Sequence, residues 1–323
     1  MSHHWLDAGD AAVVAELIRD EQTESIHHGV VAVVDREGTL LLERGNAEAI
    51  VYPRSTLKPV QAIALLETGL ELSPLELTLS TASHCGSRRH RDAVAHFLEA
   101  HGFSESALGC PEDWPLGPAE RAELAAEGGT PSRLAMNCSG KHAGFLAACS
   151  HSGWHTEDYL SLEHPLQQAI VDTITRYADE PPALSSTDGC GAPLHALSLR
   201  GLARAIARVS TADTEHELRL LSAVRDNAWA IDGEGRDNTV TIETLGGIAK
   251  IGAEGLVVIG TPDGVAVAVK ILDGSMRATS LVALGALESV GAISARDAAS
   301  LSARVAHPVM GGDHIIGGLK VRI

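Results

Sequence analysis

The chain has 323 residues, 45% hydrophobic but only 3% aromatic, with a formal net charge of −17. That length suits one large domain or two small ones, with a core that Leu, Val, Ile and Ala must fill. So acidic a balance argues against nucleic acid or an anionic membrane as partner, since both demand a basic face, and no apolar run approaches the ~20 residues of a membrane span.

In chain order, residues 1–23 read as an N-terminal extension, and MSHHWLDAGDAAVVAELIRDEQ lacks the basic-then-apolar layout of a secretory signal. Residues 29–46 read as a hairpin turning at Arg36–Gly38. Pro59 to Thr68, apolar on nearly every face, is expected as a buried helix stopped by Gly69, with Ser55 at or just before its first turn. Residues 74–83 read as a connection, and RRHRDAVAHFLEAHG as an amphipathic helix. Residues 110–133, rich in Pro, Gly and Glu, read as an irregular surface excursion. Helices are expected over AGFLAACSHSG, PLQQAIVDTITRYADE, ALSLRGLARAIARVS and TEHELRLLSAVRDNAWAI. Residues 247–274 then alternate short β runs with Gly and Pro-Asp-Gly turns, an antiparallel meander. ATSLVALGALESVG is a last helix and GGLKVRI a last strand. Strands at both ends with helices between predict an α+β fold, a single domain over 1–323 whose terminal strands share one sheet.

Cysteines stand at 85, 110, 138, 149 and 190, an odd set of 5. A disulfide framework is not expected from it, and a reducing, cytoplasmic setting is. The basic residues are unbalanced too: of 25, only positions 58, 141, 250, 270 and 320 are lysine. Arginine supplies charge equally well but does not lose its proton in a protein, whereas a desolvated lysine does. Lysine is thus retained where a neutral amine is useful.

Three clusters carry candidate chemistry. Ser55 and Lys58 lie three apart at a helix start, on one face, where a neutral lysine can take the serine proton. A bare Ser-x-x-Lys match also arises by chance in about one chain in three. Cys138 and Lys141 of NCSGKH, joined by Cys190 of STDGCGAP, offer two thiolates and a nitrogen, a soft donor set for tetrahedral zinc. The bland alternative is two buried cysteines packed as small apolar groups. Ser83-His84 and Lys250 form the third: Lys250 sits mid-strand, where a lysine lies either at an edge or against a polar pocket. His84 reads equally as a satisfied core histidine. Histidines 3, 4, 27, 28, 151 and 155 read as surface decoration.

RSTLKPVQAIALLETG, ASHCG, NCSGKHAGFLA, TDGCGAP, GEGR and AKIGAEGL occur in an order that closely resembles the rhizobial-type (class 3) L-asparaginases, from about Glu24 to the end. The resemblance implies helices packed on an antiparallel sheet, as in serine β-lactamases and glutaminases. It implies hydrolysis of L-asparagine to L-aspartate and ammonia, and a homodimer. Carried onto this chain, it implies two Ser–Lys tandems, Ser55 with Lys58 and Ser83 with Lys250, and zinc held by Cys138, Lys141 and Cys190. Arg54, His142 and Asp188 match motif positions near the substrate. The chain departs where the family can carry a cysteine after GEGR, having Asn238 instead.

Three alternatives remain at this point. Glutaminase activity differs by one methylene, which no motif here resolves. A penicillin-recognising enzyme shares Ser-x-x-Lys, but Ser-Asp-Asn and Lys-Thr-Gly are absent in their usual form. A non-catalytic amino-acid sensor would keep the zinc and need none of Ser55, Lys58, Ser83 and Lys250.

Overall fold

The computed structural model describes residues 3–323. One antiparallel sheet runs β10–β11–β1–β2–β9–β8–β7, with β3 paired to β2. Its strands are β1 (Ala12–Arg19), β2 (Gln22–Val34), β3 (Leu40–Arg44), β7 (Ile248–Gly252), β8 (Leu256–Gly260), β9 (Ala266–Ile271), β10 (Val309–Gly311) and β11 (His314–Val321). A small second sheet orders β4 (Ile50–Val51), β6 (Pro193–Ser198) and β5 (Leu184–Thr187). The α+β expectation holds, with strands from both chain ends in one sheet. No helix among the described residues is long and apolar enough to cross a membrane.

The sheet is covered on both faces at its middle. Consecutive residues Val30–Val34 and Ala266–Val269 are all buried, and the helices Leu199–Thr211 and Thr279–Ser289 both pack against β2, β8 and β9. Alternate strand side chains point to opposite faces, so an unbroken buried run requires two covers. A helical layer built on Lys58–Glu67, Pro74–Thr81 and Ser139–Ser152 lies against the Leu199–Thr211 side.

Several elements differ from the sequence reading. Ala12–Arg19, placed in the extension, is an inner strand between β2 and β11; Met1 and Ser2 lie outside the described residues. Residues 74–81 are a helix, not a connection: Ser73 and Glu76 form a capping box and Pro74 is its first residue. Pro193–Ser198 is a strand that hands over to Leu199–Thr211 at Ser198, whose side chain caps the Gly201 N–H. The 110–133 excursion contains an exposed helix, Pro118–Ala126. A helix over Ala295–Val305 follows the one read as last. His27 is buried rather than decorative and accepts from Arg277 Nε at 3.0 Å.

Candidate active site

Four chain segments converge where the helical layer meets the edge strand β7. The first is the 3₁₀ turn Arg54–Leu57, which runs directly into Lys58–Glu67. Arg54 has φ +51°, a left-handed conformation unusual outside glycine and often found at functional sites. Its Nε donates to Asp188 Oδ1 at 2.7 Å, which ties the strained turn to the β5–β6 loop. The Ser55 N–H, at the start of the turn, donates to no other backbone group among the described residues, as expected of a first-turn amide.

The second segment, Ala82–Cys85, is extended chain leaving the Pro74–Thr81 helix. Its amides are stitched to two neighbours: Ser83 N donates to Ile231 O at 2.9 Å and His84 N to Asn137 O at 3.1 Å. The third begins at Cys138, the N-cap of Ser139–Ser152. A Cβ at Gly140 would collide with the Leu79 carbonyl, and one at Gly144 with the Ser80 hydroxyl. The glycines of NCSGKHAG therefore let this helix approach Pro74–Thr81 at backbone distance, which brings Cys138 to the same Lys58 amine that bonds Ser83. The fourth is the loop between β5 and β6, closed by Asp188 N to Ala192 O and Gly191 N to Asp188 O, both 2.9 Å. It presents Asp188 and Cys190.

Lysines 58, 141 and 250 are 1%, 2% and 0% exposed. Lys58 Nζ bonds Ser83 Oγ at 2.9 Å, Cys138 Sγ at 3.1 Å and the Ala82 carbonyl. Lys250 Nζ donates to Ile251 O at 2.7 Å, and Asn238 Oδ1 accepts from Ile251 N on the open side of β7 at 2.9 Å. The hydrogen-bonded Ser–Lys pair is therefore Ser83 with Lys58, not Ser83 with Lys250. Ser55 makes no side-chain hydrogen bond among the described residues, although its carbonyl accepts from the Lys58 N–H. Burial and then the Lys58 charge push the Lys250 amine down to about 7.

Lys141 Nζ donates to Cys190 Sγ at 3.1 Å and Lys58 Nζ to Cys138 Sγ at 3.1 Å, and the two thiols interact, Cys138 favouring the charged form of Cys190 through a sulfur–sulfur hydrogen bond. That bond from Cys138, followed by the Lys141 and Lys58 charges, overcomes burial and favours a thiolate on Cys190, while Cys138 is pushed up as its partner. Lys141 stays above the ordinary lysine value: burial lowers it, and the two sulfurs outweigh burial. Burial would raise the Asp188 carboxyl, but Lys141 and Arg54 prevail and hold it below the usual carboxylate range. Two thiols and an amine, all buried, with Lys141 on Cys190, are a donor set whose chemistry fits zinc.

These groups open on a cleft of about 660 Å³ lined by Arg54, Ser55, Ser83, Cys138, Asp188 and Cys190. His142 does not line it; the ring is fully buried, with Nδ1 on Tyr159 Oη at 2.7 Å. The far wall was not read from the sequence. It carries Asp232, held by Arg236 Nε at 2.7 Å, and Asp237, whose carboxyl burial raises. The signal was present in DGEGRDN, where acids flank the GEGR motif.

The cleft thus carries two serines, Ser55 and Ser83, with buried lysines next to it. The L-asparaginase II family profile matches residues 15–321, and the chain belongs to that family. It is thus an amidohydrolase of the L-asparaginase type, acting on a small molecule. A comparison with curated proteins yields no match. Among solved structures, a β-lactamase from Mycobacterium bovis is 15% identical with a TM-score of 0.45, covering 81% of this chain and 94% of that one. A protein described as a β-lactamase candidate from Bacteroides dorei is 15% identical with a TM-score of 0.42, covering 81% and 91%.

Proposed function

We propose that the chain hydrolyses the side-chain amide of L-asparagine by acyl transfer to Ser55, with Lys58 as base. The observation carrying this reading is the Lys58–Ser83 hydrogen bond at 2.9 Å: Ser55 and Ser83 both line the cleft, and Lys58 is buried beside them. The Arg54–Asp188 pair, with opposite charges side by side on the cleft, suits the carboxylate and ammonium of an α-amino acid. Ser55 Oγ attacks the amide carbon, and its proton passes to Lys58, neutral in this step, whose amine turns its lone pair toward Ser55 and away from its resting partner Ser83. The proton then crosses Ser83 to the departing nitrogen, the C–N bond breaks, and ammonia leaves. Water next attacks the acyl-Ser55 ester, which returns the serine proton and releases aspartate. The Ser55 N–H, without a backbone acceptor, supports the oxyanion, a donor worth about 3 kcal/mol. Lys250, with its amine pushed down to about 7, keeps a second ammonium away from Lys58 once the pH exceeds that value.

Cys138, Lys141 and Cys190 would hold the zinc ion. When bound, it supplies a Lewis-acidic charge beside the cleft and ties NCSGKH to TDGC. A homodimer in the cytoplasm belongs to the same reading and rests on the family resemblance and the cysteine usage. The test is ammonia release from asparagine and glutamine side by side, with a mass-spectrometric search for the acyl adduct. Release from asparagine with the adduct on Ser55 is expected. No release from either amide, or an adduct on another residue, would overturn the assignment.

A further inference from the structure

A second, enclosed space adjoins the cleft. It measures about 10 Å³ and is lined by Ser55, Lys58, Gln61, Lys141, Asp188 and His195. Two of its lining groups are buried polar atoms that no protein group partners: Gln61 Oε1 and His195 Nε2. Gln61 is 6% exposed and His195 is 0% exposed. A buried carbonyl or imidazole nitrogen left without a partner is destabilising by about 1–3 kcal/mol, and two such atoms facing one void rarely stand unrelieved. A space of roughly 10–15 Å³ admits one water, provided two to four polar groups surround it.

We propose that this void binds a single ordered water, with Gln61 and His195 as positioning residues for Ser55 and Lys141. The valences close around that molecule. Ser185 Oγ, on the cross-strand partner of His195, lies 2.8 Å from Nδ1, and we take the tautomer with the ring proton on Nδ1, donated to Ser185, so that Nε2 presents a lone pair. The water's two hydrogens go to His195 Nε2 and Gln61 Oε1, and its oxygen is left to accept. Lys58 cannot be the donor, because its amine already has three partners. Lys141 has one, Cys190, and the Ser55 hydroxyl has none among the described residues. Both therefore donate to the water, which fixes the hydroxyl facing the cleft and the amine beside the two sulfurs. Gln61 lies one turn beyond Lys58 on the same helix, which explains a buried amide in the otherwise apolar KPVQAIALLE.

The kinetic part rests on the amidohydrolase reading above; the water itself does not. A high-resolution crystal structure of the full chain is expected to show one density peak within about 3.2 Å of both Gln61 Oε1 and His195 Nε2. The peak should vanish in Gln61→Leu. No peak, or Gln61 in direct contact with His195, overturns the proposal. In parallel, His195→Phe should lower kcat on asparagine about tenfold or more with KM within about twofold, and His195→Gln, which keeps an acceptor, should restore most of it. Equal kcat losses in both variants, tracking equal losses in Tm, would make His195 structural and sink the positioning role. If the wild-type chain hydrolyses neither amide, the functional reading falls while the density still decides the water.

Discussion

The corner holding Lys58, Lys141 and Lys250 and the sheet margin holding Lys320 treat the same residue type in opposite ways. At the margin, Lys320 stands opposite Glu16 on neighbouring strands and is exposed. The Arg19–Glu24 pair nearby, at 2.9 Å, has both side chains about two-fifths exposed (41% and 42%). Charges there remain solvated, and their pairing is worth little. In the corner, three amines are withdrawn from water among sulfurs, a hydroxyl and carbonyls, and the surroundings push Lys250 down and Lys141 up. Solvation, more than residue identity, separates a solubilising lysine from a reactive one.

The sharpest way to break that contrast is to remove the hydroxyl proposed as the nucleophile. Ser55→Ala is expected to lower kcat by about 10⁴-fold or more with the fold intact, and a loss below tenfold would refute its role as nucleophile. Lys58→Arg keeps charge and removes the base; a loss of at least about 10²-fold is expected, whereas Lys320→Arg should be silent in the same assay. Cys190→Ser removes a sulfur from the donor set, and stoichiometric zinc in the purified wild type with none in the variant is the expected elemental analysis. Equal metal in both would exclude these ligands.

Smaller but directional is the pH dependence of Lys250. Its folded value, about 7, lies below the unfolded one near 10.4, so the unfolded chain binds more protons between them. Stability therefore rises as pH climbs from about 7 toward 10, and activity rises through pH 7 as the amine discharges. Lys250→Met should remove that stability slope in urea titrations; a slope unchanged from wild type would show Lys250 is not its source. The smallest effect is Lys320→Ala, expected within about 0.5 kcal/mol of wild type by the same titrations.

The meander at 248–271, the buried helix after Pro59 and the terminal strand were legible because each has a local signature: alternation, a Pro-led apolar run, Gly stops. The helix Pro74–Thr81 was missed because LELTLST carries β-branched residues that favour strand, and its capping box outweighed them. The last three residues of the strand Pro193–Ser198 were absorbed into the helix behind it, since nothing in ALSLRGL marks where extended chain ends except the Ser198 cap. The inner strand Ala12–Arg19 was hidden because its partners are β2 and β11, the latter some 300 residues away in sequence.

The sequence by itself determined the candidates for the chemistry and the family: few lysines, two cysteines in glycine-bearing motifs, and motifs whose order matches the family. Only the tertiary structure decided their pairing, giving Ser83 to Lys58, leaving Lys250 on a carbonyl of its own strand, and turning His142 away from the cleft. Residue type and spacing are local properties written in the chain. Which amine meets which hydroxyl depends on how closely two helices can approach, and that distance is set by packing between segments far apart in sequence.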